Sequence, residues 1–336
     1  MTSRTTPRCT CVSRTSLTRI TRRRAATTNR VARPTLGFVR ASDRISRIAA
    51  RAVLAGAAVL FSVPLSAAPQ RVVSINLCTD QLAMLLAAPG QLISVSRIAL
   101  DPRVSSMAAE AAQYPINASR AEEVHGMRPD LVVAGEYTSR DTVALLRRLE
   151  IDVVQFGIVR SLDEVRARIR QMGAALGREA AARAMIAQFD ADLAHLRADL
   201  DGGLAPGPDA PRAAMYSANG YTSGDKTLSG EILAAAGLRN APGEEGYGYG
   251  KLPLEMLAML QPDLVITARR YPRGSRAEEI MDHPVVEMLS GQAARAVMSD
   301  QDWVCGTPFV LRAIADMAAA RRKAVADLKT GVEADK

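Results

Sequence analysis

Aromatic side chains with polar handles recur where short β-branched runs end. Tyr137 follows Leu131–Ala134, Tyr221 follows Ala213–Ser217, Tyr271 follows Leu264–Thr267, and Trp303 follows Ala294–Met298. Tyr247 and Tyr249 alternate with glycines in a short loop-like stretch. Flat rings carrying a hydroxyl or N–H suit a large planar ligand such as a macrocycle or a catecholate. Packing over a strand end explains any one of these residues equally well; the set as a whole favours a ligand. Two of the four cysteines, Cys9 and Cys11, lie at the far N-terminus, leaving Cys78 after the first strand-like run and Cys305 beside Trp303. That pair is open to three states: a disulfide, two separate thiols, or a thiolate touching a ligand. His125, His195 and His283 show no H-E-x-x-H spacing, there is no C-x-x-C, and the Gly-Tyr-Gly-Tyr-Gly-Lys run lacks the phosphate-loop pattern. The histidines are expected to be surface or capping residues, and metalloenzyme chemistry has little to build on.

The elements that must position these residues alternate. Arg71–Asn76, Leu92–Ser96, Leu131–Ala134 and Val153–Phe156 are expected strands, with helices at Thr79–Ala88 (Thr79 or Asp80 near its N-cap) and Thr142–Leu149. Continuous apolar strands between helices imply a parallel sheet covered on both faces. Residues 161–200 contain no proline and open on Ser161-Leu-Asp-Glu164, a capping-box pattern. Gly173 and Gly177 mark a joint, and a helix of about 23 residues from Arg178 would reach roughly 35 Å, enough to connect two domains. Alternation resumes with Ala213–Ser217, a helix at Ser229–Ala236, strands at Leu264–Thr267 and Ala294–Met298, and a terminal helix over Pro308–Leu328. Met127-Arg-Pro-Asp-Leu-Val-Val133 echoes Leu260-Gln-Pro-Asp-Leu-Val-Ile266, so two similar α/β lobes are the economical account. Ligands in such sheets sit beyond the carboxyl ends of the strands, which is where the aromatics lie.

The formal charge of +8 would suggest nucleic acid, but its distribution argues otherwise. Residues 1–68 hold 13 Lys/Arg against the single acid Asp43, while residues 69–336 hold 30 bases against 34 acids. Arg44, Arg47 and Arg51 precede the apolar run Ala52–Val63 and then Ser66-Ala67-Ala68, the plan of a cleaved export signal with cutting after Ala67 or Ala68. The run is too short to span a bilayer. Residues 1–43 fit a start assigned too far upstream. The expected domains are a leader over 1–68, an α/β lobe over 69–160, a linking helical region over 161–200 and a second lobe over 212–336.

The opening RVVSIN strand with TDQLAMLLA, MRPDLVVAGEY, the long mid-chain helix, YTSG followed by SGEILAAAGLRN, PLEMLAMLQPDLVI, and DWVCGTP before the last helix together resemble the iron-siderophore and cobalamin family of periplasmic binding proteins, most of all its cobalamin-binding members. The resemblance covers roughly residues 70–328. It implies two Rossmann-like lobes joined by one rigid helix, a ligand cleft between them, no catalysis and no resident cofactor. The implied ligand-binding set is Cys78, Thr79, Tyr137, Tyr221, Tyr249, Tyr271, Asp302 and Trp303, with a corrinoid, ferric siderophore or haem as the metal-chelate ligand. The family places Cys78 and Cys305 in different lobes, so a disulfide would tie the lobes together. Members act as monomers in the periplasm and dock on an ABC permease dimer through one glutamate per lobe. Here these are Glu122 and Glu255, each seven residues before the proline of a Pro-Asp-Leu-Val turn. Favourable placement in a helix's first turn is the alternative role for both. A metalloenzyme or chelatase on a related two-lobed fold, and a thiol-redox protein using Cys78 and Cys305, are the rival classes.

Overall fold

A computed structural model describes residues 67–198, 206–270, 275–292 and 294–334. The leader through residue 66, and Tyr271, lie outside the described residues. The described residues belong to one compact unit that contains two parallel sheets.

The first sheet holds β1 (Val72–Ser74), β2 (Leu92–Ser96), β3 (Ile116–Asn117), β4 (Leu131–Gly135) and β5 (Asp152–Phe156), in the order β3-β2-β1-β4-β5. Around it lie α1 (Leu77–Leu86), α2 (Ala108–Ala111), α3 (Ala121–Gly126) and α4 (Arg140–Arg148). Neighbouring residues along a strand point to opposite faces. Val72, Leu131 and Val133 accordingly enter one apolar cluster, while Val73, Val132 and Ala134 enter another with Val124, Val143 and Leu146 of α3 and α4. That double burial is why these strands read as unbroken apolar runs.

Next come α5 (Leu162–Leu176) and α6 (Glu179–Ala198). The N-cap Ser161 accepts the Glu164 N–H at 3.2 Å. The return bond differs from the expected box: Glu164 Oε2 accepts from Arg160 N–H at 2.6 Å, one residue upstream of the cap. Gly177 ends α5 at φ 65, a left-handed cap that glycine adopts without strain. At Gly173 a Cβ would stand 2.4 Å from Ala182 Cβ, so α5 and α6 cross closely there. The second helix is described over 20 residues, Glu179–Ala198, and the C-terminal end of the expected stretch lies outside the described residues. This helix packs on α5 of the first lobe.

The second sheet follows: β6 (Arg212–Tyr216), β7 (Tyr221–Thr222), α7 (Leu228–Ala235), β8 (Arg239–Asn240), α8 (Ala241–Glu244), β9 (Gly250–Lys251), α9 (Leu254–Leu260), β10 (Leu264–Ala268), α10 (Pro284–Gln292), β11 (Ala294–Met298), α11 (Asp300–Trp303) and α12 (Val310–Ala334). Its parallel order is β11-β10-β6-β8, and β7 pairs with β9 as a separate antiparallel ribbon. α6 also touches α12, and one apolar cluster runs from Val72 and Val133 through Ile169, Phe189 and Leu193 to Met215, Ile314 and Met317. The two sheets thus share a core through the helical segment between them.

The sheets repeat one construction in detail. β1 is flanked by β2 and β4 as β6 is by β8 and β10, with Val72 opposite Leu131 and Ala213 opposite Leu264. Asp130 Oδ2 accepts the Arg71 N–H at 2.9 Å, and Asp263 Oδ2 accepts the Arg212 N–H at 2.8 Å. The guanidinium of Arg71 donates to the carbonyls of Met127 and Arg128, and that of Arg212 to the carbonyl of Leu260. Arg128 and Gln261, each just before the proline, share a left-handed backbone at φ 49 and 43. The Pro-Asp-Leu-Val turn is therefore a lock: its aspartate fastens the start of the central strand, and the arginine of that strand satisfies carbonyls left open at the preceding helix end.

Candidate functional site

The carboxyl ends of β1, β4 and β5 open on a cavity of about 230 Å³, bordered among others by Asn76, Cys78, Thr79, Glu136, Tyr137 and Arg168. The helix beginning after β1 places the first three. Its N-cap is Asn76, whose Oδ1 accepts the Cys78 N–H at 3.0 Å, not Thr79 or Asp80 as the sequence suggested. Those two turn inward instead. Thr79 Oγ1 lies 2.9 Å from Ser74 Oγ and donates to the Asn76 carbonyl; Thr79 borders the cavity, but its hydroxyl is already engaged. Gly135 is required here because a Cβ would come within 2.7 Å of Asn76 Nδ2. Tyr137 stands at the mouth, 81% exposed.

A second cavity of about 270 Å³ lies at the ends of β6 and β11, bordered by Ser217, Tyr221, Ser229, Tyr249, Asp300 and Trp303 among others. The β7–β9 ribbon pairs Thr222 with Gly250 and brings Tyr221 and Tyr249 together, ring centroids 5.5 Å apart and tilted by 31°. Tyr249 is 76% exposed, whereas Trp303 is only 6% exposed and belongs to the apolar core, so little of its ring is open to a ligand. Val304 borders both cavities. Each alone is smaller than an ordinary small-molecule site, roughly 300–1,000 Å³; the two together fall within that range.

The segment 301–306 is where the lobes meet. Cys305 is disulfide-bonded to Cys78, with Cα atoms 5.2 Å apart. Ser106 of the first lobe donates to Asp302 Oδ1 at 2.9 Å and also lies 2.8 Å from the Gln301 carbonyl. A Cβ on Gly306 would be 2.3 Å from Val159, so glycine allows that close approach. Asp302, expected among the ligand contacts, borders neither cavity: it is 5% exposed and holds Ser106, with Arg312 Nη1 3.7 Å away.

Behind Thr79, the fully buried Asp80 accepts from the backbone N–H of Ser96 at 3.1 Å and from its hydroxyl. Burial pushes its carboxyl up to about 6, against the pull of hydrogen bonds from Ser74 and Ser96. Among the described residues no cluster of three His, Cys, Asp or Glu side chains could hold a metal ion. His283 Nδ1 accepts the Val285 N–H at 3.2 Å, a capping role. Ser223 and Lys226 have S-x-x-K spacing but occupy the turn ahead of α7, with Lys226 exposed. Glu122 and Glu255 are each the second residue of their helix, α3 and α9, and both are exposed. Sequence reasoning passed over Asn76, Glu136 and Arg168. The glycines right after or at the ends of β4 and β5, Gly135 and Gly157, were the available signal that backbone and side chains crowd there.

No described helix is long and apolar enough to cross a membrane. Two curated cobalamin-binding proteins from strains of Halobacterium salinarum are each 29% identical over 210 residues, 61% of this chain and 56% of their own length, so the chain spans little more than half of them. Among solved structures, the periplasmic haem-binding protein RhuT of Roseiflexus sp. RS-1 aligns with a TM-score of 0.61 at 21% identity, covering 76% of this chain and 98% of that one. The periplasmic vitamin B12 binding protein of Vibrio cholerae aligns at 0.57 and 16%, with coverage of 76% and 98%. Both share the two-lobed α/β fold. A family model described as periplasmic binding protein matches residues 72–300, more than half of the chain, and the protein belongs to that family of non-enzymatic binding proteins.

Proposed function

We propose that this protein is the exported substrate-binding component of an ABC importer and that it captures a metal chelate, a corrinoid in the first place, between its lobes. The observation that carries the reading is the pairing of two small cavities at strand ends, each edged by tyrosine and both bordered by Val304, next to the disulfide-bonded Cys305. A planar macrocycle lying across both would meet Tyr137 on one side and the Tyr221–Tyr249 pair on the other. The name of the Halobacterium salinarum relatives favours cobalamin over a siderophore or haem. The chelate is cargo, and the work is capture by a preformed site with small closure. The leader would direct export with cleavage after Ala67 or Ala68, and Glu122 and Glu255 would meet the permease.

Titration calorimetry with cyanocobalamin, a ferric siderophore and haemin tests the reading. Cyanocobalamin should bind at micromolar concentration or tighter, a free energy of about −8 kcal/mol. Tyr221→Ala should weaken it by roughly 1–3 kcal/mol, the scale of a lost aromatic contact. Folded protein that gives no heat with any of the three is not a chelate carrier; tight binding of haemin alone would replace the corrinoid with haem.

A further inference from the structure

The first-lobe cavity carries one unmatched pair of opposite charges. A methyl group built on Gly157, just after β5, would stand 3.6 Å from Glu136 Oε2 and 3.8 Å from Arg168 Nη2, so both groups converge on one point of the wall. They are not paired with each other. Glu136 Oε2 accepts from the Ile158 N–H at 3.2 Å, and Arg168 Nη1 donates to Gln171 Oε1. No hydrogen bond among the described residues engages Arg168 Nη2, the nitrogen nearest the wall, and its Nε is buried behind it without an acceptor. The wall therefore presents an acceptor and a donor side by side, each with capacity to spare.

That combination selects between ligand edges. A primary amide satisfies both, its NH₂ donating to the Glu136 carboxylate and its carbonyl accepting from the Arg168 guanidinium. A carboxylate satisfies Arg168 but faces Glu136 as a like charge once water is displaced, and such contacts are strongly unfavourable. Corrinoid rings are edged with primary amides, and haem with carboxylates. We infer that Glu136 and Arg168 form an amide-reading subsite that makes this cavity specific for the amide-edged corrinoid over carboxylate-edged macrocycles; the inference rests on the corrinoid reading above.

The test compares cyanocobalamin with its singly hydrolysed monocarboxylic acids, each isomer assayed separately by calorimetry. Wild-type protein should bind at least one acid roughly tenfold or more weakly than the amide. For that isomer Glu136→Gln should shrink the acid-to-amide ratio of dissociation constants towards one, and Arg168→Gln should enlarge it. Opposite shifts from two neighbouring substitutions are not what a general loss of packing produces. If all isomers keep the wild-type ratio in both variants while cyanocobalamin still binds, the subsite is refuted and the corrinoid reading stands. If wild-type protein binds no corrinoid, both fall together.

Discussion

Among the described residues, Asp80 is the carboxyl group that its surroundings push furthest from ordinary behaviour. It is wholly buried in the first turn of α1, burial pushes its carboxyl up to about 6 from the ordinary carboxylate range, and it is held by Ser96. The native state therefore keeps this proton over a range in which the unfolded chain releases it. Its contribution to stability is full below about pH 4, declines as pH rises towards 6, and is lost above that. The loss is on the order of 3 kcal/mol. Asp316, also pushed up by burial and then by Asp302, leans the same way, so the variant must be compared with wild type. Asp80→Asn should flatten the fall in urea midpoint between pH 4.5 and pH 7. A variant that keeps the wild-type slope would mean that Asp80 does not carry it. From sequence, Thr79 or Asp80 stood near a helix N-cap and Asp302 among the ligand contacts. Residue type and spacing show that a carboxylate stands at a strand end, but not which way it turns. That is decided by partners such as Ser96 and Ser106, distant along the chain.

Element by element, legibility followed length. Leu92–Ser96 and Ala294–Met298 are strands with the bounds their apolar runs suggest, whereas β3, β7, β8 and β9 have two residues each and leave no periodicity to detect. The two-residue ribbon nonetheless holds Tyr221 beside Tyr249, so an undetectable element arranges half of the candidate site. The α5–α6 joint was legible because its glycines break a long helical pattern. Their reasons differ: Gly177 supplies a left-handed cap, with Arg178 N–H returning to the Gly173 carbonyl at 2.7 Å, while Gly173 supplies room for Ala182. Gly173→Ala should therefore destabilise by overpacking, about 1–3 kcal/mol, despite alanine's better helix propensity. Adding Ala182→Gly should recover part of that loss. Urea denaturation of the single and double variants decides it. A single variant as stable as wild type would mean that the helices separate freely, and α5 would then be a poor rigid support for Arg168.

At the scale of the whole molecule the duplication was readable from one repeated turn, because the same aspartate–arginine lock must be built twice. What joins the lobes was legible only in part: the resemblance allowed a Cys78–Cys305 disulfide between them, and the structure has it, whereas Ser106 with Asp302 and Val159 with Gly306 are contacts between distant segments that left no sequence signal. Together they tie the two lobes to each other. The duplication gives Glu122 and Glu255 equivalent places, on the second residues of the helices that precede β4 and β10. Two roles compete for them. A carboxylate in a first helical turn interacts favourably with the helix dipole, worth about 0.3–1 kcal/mol; on that account Glu122→Arg with Glu255→Arg lowers stability slightly and leaves transport unchanged. Docking on permease arginines predicts something else. Chelate affinity should persist, since neither residue borders the cavities, while charge reversal at both contacts opposes assembly by several kcal/mol and uptake fails. Uptake of labelled cobalamin by proteoliposomes holding the permease, supplied with wild-type or doubly reversed binding protein at matched chelate loading, separates the two. Uptake at the wild-type rate with the reversed protein would leave the glutamates only their helix-end role; a single reversal that halves the effect of the double would show that each lobe docks on its own permease subunit.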